Sequence, residues 1–256
     1  SKNSSQLSSL PSAKTNKIAR IAKPYPLISK LAWRYAIICF ATHALFISLS
    51  LVPGWRAIPL QNGDGVSYLL PAENIVQNMA FSRESESPYL WEPYRTPGYP
   101  LLIATTRVVW GNYQWVLYFA AATAGIAGWT AVRMTEEWNG SHLAQHLAGS
   151  AVALLPNSLG LSARLLTDAM FGHLFLVWLY LLYIGLARPS SGKLAGSVIV
   201  LWGLQFLKPT LSIGAFLVIW LGCLIWVRKK ELLSSSNFFR GNDTSLTPLF
   251  CSSKLC

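Results

Sequence analysis

Long apolar runs constrain this chain more than any other feature. They cover 33–53, 114–132, 143–161, 168–187 and 194–227, with a shorter run at 97–110. Such runs have the length of helices that cross about 30 Å of hydrocarbon, where only helices and closed barrels keep every backbone group bonded. Charged residues make up 12% of the chain, against about 25% in a soluble domain. The fold class is therefore all-α and polytopic in a membrane, with about six or seven membrane helices or half-helices.

Basic residues set the orientation. Residues 1–34 hold Lys2, Lys14, Lys17, Arg20, Lys23, Lys30 and Arg34 and no acid, and Arg228-Lys229-Lys230 follows the last run. Flanks of this kind mark the cytoplasmic side. They account for a net charge of +11 without a nucleic-acid partner. The Ser- and Lys-rich tail over 1–30 reads as disordered. The first run follows that tail and reads as a retained anchor rather than a cleaved signal. The four cysteines, Cys39, Cys223, Cys251 and Cys256, show no metal-ligand spacing and read as free thiols.

A membrane module over 31–227 follows the tail, and a polar tail over 228–256, of the kind a truncation leaves, ends the chain. Within the module, residues 54–96 form a large outer loop. Its segment 70–80 is expected as an amphipathic juxtamembrane helix, with Pro71 in the first turn. Leu69, Ile75, Val76, Met79 and Ala80 would line one face, and Glu73, Asn74, Gln77 and Asn78 the other. Segment 97–110 gives only about 21 Å of helix, which suits a half-helix or a re-entrant segment. If it does not cross, Arg133, Arg188 and Lys193 join the basic tail on one side. Asp64, Arg95, Asp168 and Lys208 then share the other.

The outer loop holds five of the ten acidic residues: Asp64, Glu73, Glu84, Glu86 and Glu92. Asp64 lies between Gly63 and Gly65, where a partly desolvated carboxylate could take a proton from a hydroxyl; the plain alternative is an Asp-Gly turn. Arg95 stands before a helix expected from Pro97, so guanidinium and helix N terminus together suit a phosphate. Snorkelling between Tyr94 and Tyr99 is the competing reading. Asp168 opens a helix, with Thr167 as its expected cap and Arg164 as a neighbouring cation. Lys208 interrupts the last apolar run before Pro209, either as a functional charge or as a turn residue reaching the interface. His43 and His173 read as packing or hydrogen-bonding residues within spans, although His173 could join Asp168 at a metal. His142 and His146 have zinc-helix spacing without a third ligand.

One order of motifs ties these pieces together. Asp64-Gly65 with Tyr68 and Ala72 is followed by Phe81-Ser82 and Arg95-Thr96-Pro97-Gly98-Tyr99-Pro100-Leu101-Leu102. Leu165-Leu166-Thr167-Asp168 and Gly203-Leu204-Gln205-Phe206-Leu207-Lys208-Pro209 come later. Over about 30–230 this resembles the N-terminal membrane module of GT-C glycosyltransferases that use polyprenyl-phosphate sugars. The likeness is to family-39-like bacterial enzymes, related to protein O-mannosyltransferases and lipid A aminoarabinose transferase.

The resemblance implies a multi-pass protein of the bacterial inner membrane with a cytoplasmic N terminus. Its implied activity is inverting transfer of a sugar from a polyprenyl-phosphate donor to a hydroxyl, lipid or glycan acceptor on the outer face. Asp64 would be the catalytic base, and Arg95 with Lys208 would bind the donor phosphate. Asp168, Tyr68 and Tyr99 would bind substrate, Asp168 alternatively serving as a second acid. Asp64 and Asp168 could hold a divalent metal. A different class fits the same features: a non-catalytic lipid-phosphate-binding subunit or a transporter fragment.

Overall fold

The computed structural model describes residues 29–52, 63–92, 95–188 and 191–208, with residues 220 and 222. These form helices α1 (Lys30–Ser50), α2 (Val66–Asn78), α3 (Gly98–Trp110), α4 (Trp115–Glu137), α5 (His142–Leu154), α6 (Pro156–Ser162), α7 (Asp168–Ala187) and α8 (Ser191–Leu207). A 3-10 turn, Gly63–Gly65, precedes α2. No strand occurs among the described residues. The expected tails over 1–30 (apart from residues 29 and 30) and 228–256, the loop start over 53–62, residues 93 and 94, and the last apolar stretch beyond Lys208 lie outside them, apart from residues 220 and 222.

Three helices, α1, α4 and α7, are long and apolar enough to cross a membrane. α4 is the axis: 61% of its apolar span is buried, against 28% for α1 and 33% for α7. Its sequence allows this. Ala120, Ala121, Ala124, Ala127, Gly128 and Ala131 are small, so neighbouring backbones come close. A Cβ on Gly128 would lie 2.3 Å from Cys39 Sγ and 3.0 Å from the Tyr35 carbonyl oxygen, so glycine is what admits α1 at this distance. The outer faces carry exposed Ile37, Ile38, Phe40 and Leu45 on α1 and Ile199 and Trp202 on α8. Apolar exposure on this scale suits a hydrocarbon surround.

Side-chain pairs fix the directions. α1 and α4 are antiparallel, with Ser48 bonded to Tyr118 at one end and Gly128 against Tyr35 toward the other. α5 runs beside α1, pairing His146 with Tyr35 and the Val152 carbonyl with His43. α7 runs beside α4, with His173 at Thr123 and Tyr180 at Trp129. α8 returns along α7, from Leu194 at Gly185 to Lys208 at Asp168. One end of the bundle thus collects Arg133, Glu136, Glu137 and Arg188, which form a network of ion pairs. The other collects Asp64, Arg95, Asp168 and Lys208.

Several sequence expectations are corrected. The apolar run 143–161 is not one span but two helices, α5 and α6, broken at Leu155-Pro156. Pro156 has no N–H to give and holds Leu155 extended, at φ −60° and ψ 113°. The helix expected over 70–80 begins at Val66 and ends at Asn78, so Pro71 sits in its interior rather than in its first turn. Met79 leaves the expected stripe, closing the helix in the left-handed region at φ 53°. Asn74, expected on the polar face, is buried, and its amide donates to the carbonyls of Ser82 and Glu84. The segment 97–110, by contrast, forms the short helix expected: α3, at 13 residues, is about 20 Å long, less than the hydrocarbon thickness.

Candidate functional site

The site begins at the 3-10 turn. Gly63 and Gly65 flank Asp64, and Ser67 Oγ donates to the Asp64 carbonyl oxygen at 2.6 Å, which fixes the turn as it enters α2. Tyr68 then falls in the first turn of α2, facing Tyr99 of α3 edge to face with ring centroids 5.2 Å apart. Arg95 lies over this aromatic base. Its guanidinium carbon is 4.6 Å from the centre of the Tyr68 ring. One nitrogen donates to Tyr68 Oη at 3.1 Å and another to Asp64 Oδ1 at 3.0 Å.

Burial assigns different work to these groups. Tyr99 is 1% exposed and Tyr68 5%, so in this structure the Tyr68 ring lies under Arg95 and Tyr99 backs it. Burial, and secondarily Tyr68 beside it, pushes the Tyr99 phenol well above its ordinary value. The Asp64 side chain is 73% exposed. The partly desolvated carboxylate expected from sequence is instead a hydrated one, held by a single guanidinium bond.

The second half of the site comes from far along the chain. Lys208, just past α8, forms an ion pair with Asp168 at the start of α7. Arg164, the neighbour suggested by sequence, is exposed and does not take this place. Thr167 occupies the cap position without capping. Its hydroxyl is buried with no hydrogen-bond partner among the described residues.

The two halves meet where α3 begins and α8 ends. Thr96 Oγ1 donates to the Leu207 carbonyl at 3.0 Å. A Cβ on Gly98 would lie 2.3 Å from the Phe206 carbonyl oxygen. Arg95 and Lys208 are therefore each one residue away from a shared hydrogen bond. This contact also turns the positive end of α3 toward the carbonyl end of α8, so the positive charge this end offers comes from the two cationic side chains more than from the helix dipole.

The remaining loop carboxylate of note, Glu92, is buried and paired with Arg83; it holds the loop rather than joining the site. As a metal centre the donor set fits poorly. Asp64 and Asp168 each face a cation, and no group of three or more His, Cys, Asp or Glu side chains converges among the described residues. His146 is engaged by Tyr35 at the opposite end of the bundle.

Inside the bundle, a polar cluster gathers residues that the sequence shows only one by one. His43 Nδ1 lies 2.8 Å from Ser162 Oγ, and His173 lies 3.2 Å from Thr123 Oγ1 and 3.0 Å from Ser158 Oγ. The two rings meet edge to face, with centroids 5.4 Å apart. Both histidines are expected as packing or hydrogen-bonding residues, and they do bond; that they meet each other was not legible, with serine and threonine within apolar runs the available signal. In comparisons with known proteins, no family model matches this chain, and neither a curated protein nor a solved structure does.

Proposed function

We propose that this chain is a membrane glycosyltransferase module of the GT-C type. It moves a sugar from a polyprenyl-phosphate donor to a hydroxyl acceptor on the non-cytoplasmic face of a bacterial inner membrane. The observation that carries the reading is the junction of α3 with α8, where Thr96 bonds Leu207 and sets Arg95 and Lys208 near one another beside two carboxylates.

The chemistry follows from exchange of partners. An exposed ion pair such as Asp64–Arg95 is worth about 0–1 kcal/mol, whereas hydrogen bonds to charged groups contribute about 1.5–3 kcal/mol. A phosphate can therefore draw Arg95 away from Asp64. The freed carboxylate accepts the proton of the acceptor hydroxyl. The hydroxyl oxygen bonds to the anomeric carbon as the bond from that carbon to the phosphate oxygen breaks, inverting the centre. Polyprenyl phosphate leaves with the electron pair, its charge met by Arg95 and Lys208.

The high exposure of Asp64 favours the second reading, a lipid-phosphate-binding subunit without catalysis, because water has free access to the carboxylate where catalysis would exclude it. Both readings require the phosphate site. Arg95→Ala should weaken polyprenyl-phosphate binding by roughly tenfold or more, measured by titration of the protein in nanodiscs; unchanged affinity would remove both. The orientation has its own check, on a background with the native cysteines replaced by serine. A membrane-impermeant maleimide should label Ser85→Cys in intact spheroplasts and His142→Cys only after lysis. The reverse pattern would place the site in the cytoplasm.

A further inference from the structure

A cavity of about 340 Å³ lies among α4, α5, α6 and α7, near the low end of the ~300–1,000 Å³ of ligand pockets. Its wall is aliphatic except for Asn157, Ser158, Asp168 and His173. Asp168 belongs to the end of the bundle that carries Arg95 and Lys208. His173, five residues further along α7, lies about 7.5 Å deeper.

The hydrogen bonds define what the polar wall can offer. Thr123 Oγ1 donates to the Ala120 carbonyl, so it accepts from His173 Nδ1–H. That leaves His173 Nε2 to accept from Ser158 Oγ–H at 3.0 Å. This network is complete with a neutral imidazole. Asn157 is exposed, and its amide makes no hydrogen bond among the described residues. Asp168 is already neutralised by Lys208, and no lysine or arginine belongs to the wall. The cation nearest the wall, Lys208, is already shared with Asp168 at the mouth, and none lies deeper, so neither an anionic nor a cationic head finds an unpaired counter-charge along the wall. Hydroxyl groups match an amide, a serine oxygen and a carboxylate together.

We propose that this cavity seats a membrane amphiphile with a neutral, hydroxylated head, its chain lying along the aliphatic wall. Resting on the transferase reading, the amphiphile is the sugar acceptor, entering beside the donor phosphate. Pro156 makes the cavity's outer wall available, because breaking the run into α5 and α6 brings Asn157 and Ser158 to it.

Gly172 provides the test. It lines the cavity, and a Cβ built there meets nothing within 4 Å, so Gly172→Leu fills the space without a backbone clash. The probes are an alkyl β-glucoside bearing a diazirine in its chain and the same chain with a phosphate head. Each is photolysed with the full chain in nanodiscs and mapped by mass spectrometry. The glucoside should label peptides covering 151–176, and Gly172→Leu should cut this roughly tenfold while polyprenyl-phosphate binding stays unchanged. Asn157→Ala, at an exposed position, should cut it roughly fivefold. Glucoside label spread over all apolar helices, label insensitive to both variants, or equal label from the phosphate probe would overturn the site. Cavity label in a chain that never consumes a polyprenyl-phosphate sugar would uphold the site and overturn its role for an acceptor.

Discussion

Asp64→Asn should lower sugar transfer by about 10²–10⁴-fold, the range a lost general base gives, while donor binding holds or tightens. The second half of this expectation comes from the ion pair. Asp64 competes with an incoming phosphate for Arg95, which it holds at 3.0 Å. Asparagine keeps the shape and removes the charge, so Arg95 becomes freer. An exposed pair worth at most about 1 kcal/mol limits the gain in affinity to roughly fivefold. Turnover with radiolabelled donor and equilibrium binding of polyprenyl phosphate, measured on the same preparation, separate the two effects. A variant that keeps a tenth of wild-type turnover would remove Asp64 as the base. A variant that loses donor binding would make Asp64 a structural support for Arg95.

Gly98→Ala should damage binding and turnover together. Its methyl group would stand 2.3 Å from the Phe206 carbonyl oxygen and 2.8 Å from the carbonyl carbon. Both are backbone atoms, so α3 and α8 must separate for the residue to fit. Overpacking of this kind costs about 1–3 kcal/mol, and a shift near 1 Å between positioning groups can cost about 10²-fold in rate. Donor affinity and turnover are each expected to fall by roughly 10–100-fold, with helical circular dichroism unchanged. Thr96→Val removes only the bond to Leu207 and should have a smaller effect in the same direction. Wild-type values in Gly98→Ala would show that the α3–α8 junction does not organise the site.

Sequence carried the long helices well because their signal is local. The run 168–187 coincides with α7, and the runs 33–53 and 114–132 fall largely within α1 and α4, with α4 reaching five residues further, to Glu137. Beyond the apolar run, Glu136 and Glu137 pair with Arg133 and Arg188, which lets the helix continue through charged residues. Pro71 misled for the opposite reason: it is a good first-turn residue, yet Asp64 and Ser67 start the helix earlier. Pro156 was visible in the run 143–161, where hydropathy outweighed its effect on the backbone.

The site was legible as a set of residues and not as a set of pairs. Asp64, Arg95, Asp168 and Lys208 all stood out as rare charges beside apolar runs. Their partners depend on packing across the bundle. Asp168 meets Lys208 because α7 and α8 form a hairpin, whereas local spacing suggested Arg164. Tyr68 and Tyr99 are expected substrate contacts beside the motif, and only their edge-to-face contact and burial show the aromatic base that they form under Arg95. The His43–His173 contact likewise joins α1 to α7 through interior space that no window of sequence describes.

The most direct test of transfer is made with the wild-type chain in proteoliposomes containing bacterial lipid extract and a polyprenyl-phosphate donor labelled in its sugar. The account requires label to move into an acceptor with inverted anomeric configuration, while one polyprenyl phosphate appears for each sugar moved. Donor that binds, and stays intact when Arg95 and Asp64 are both in place, would contradict it.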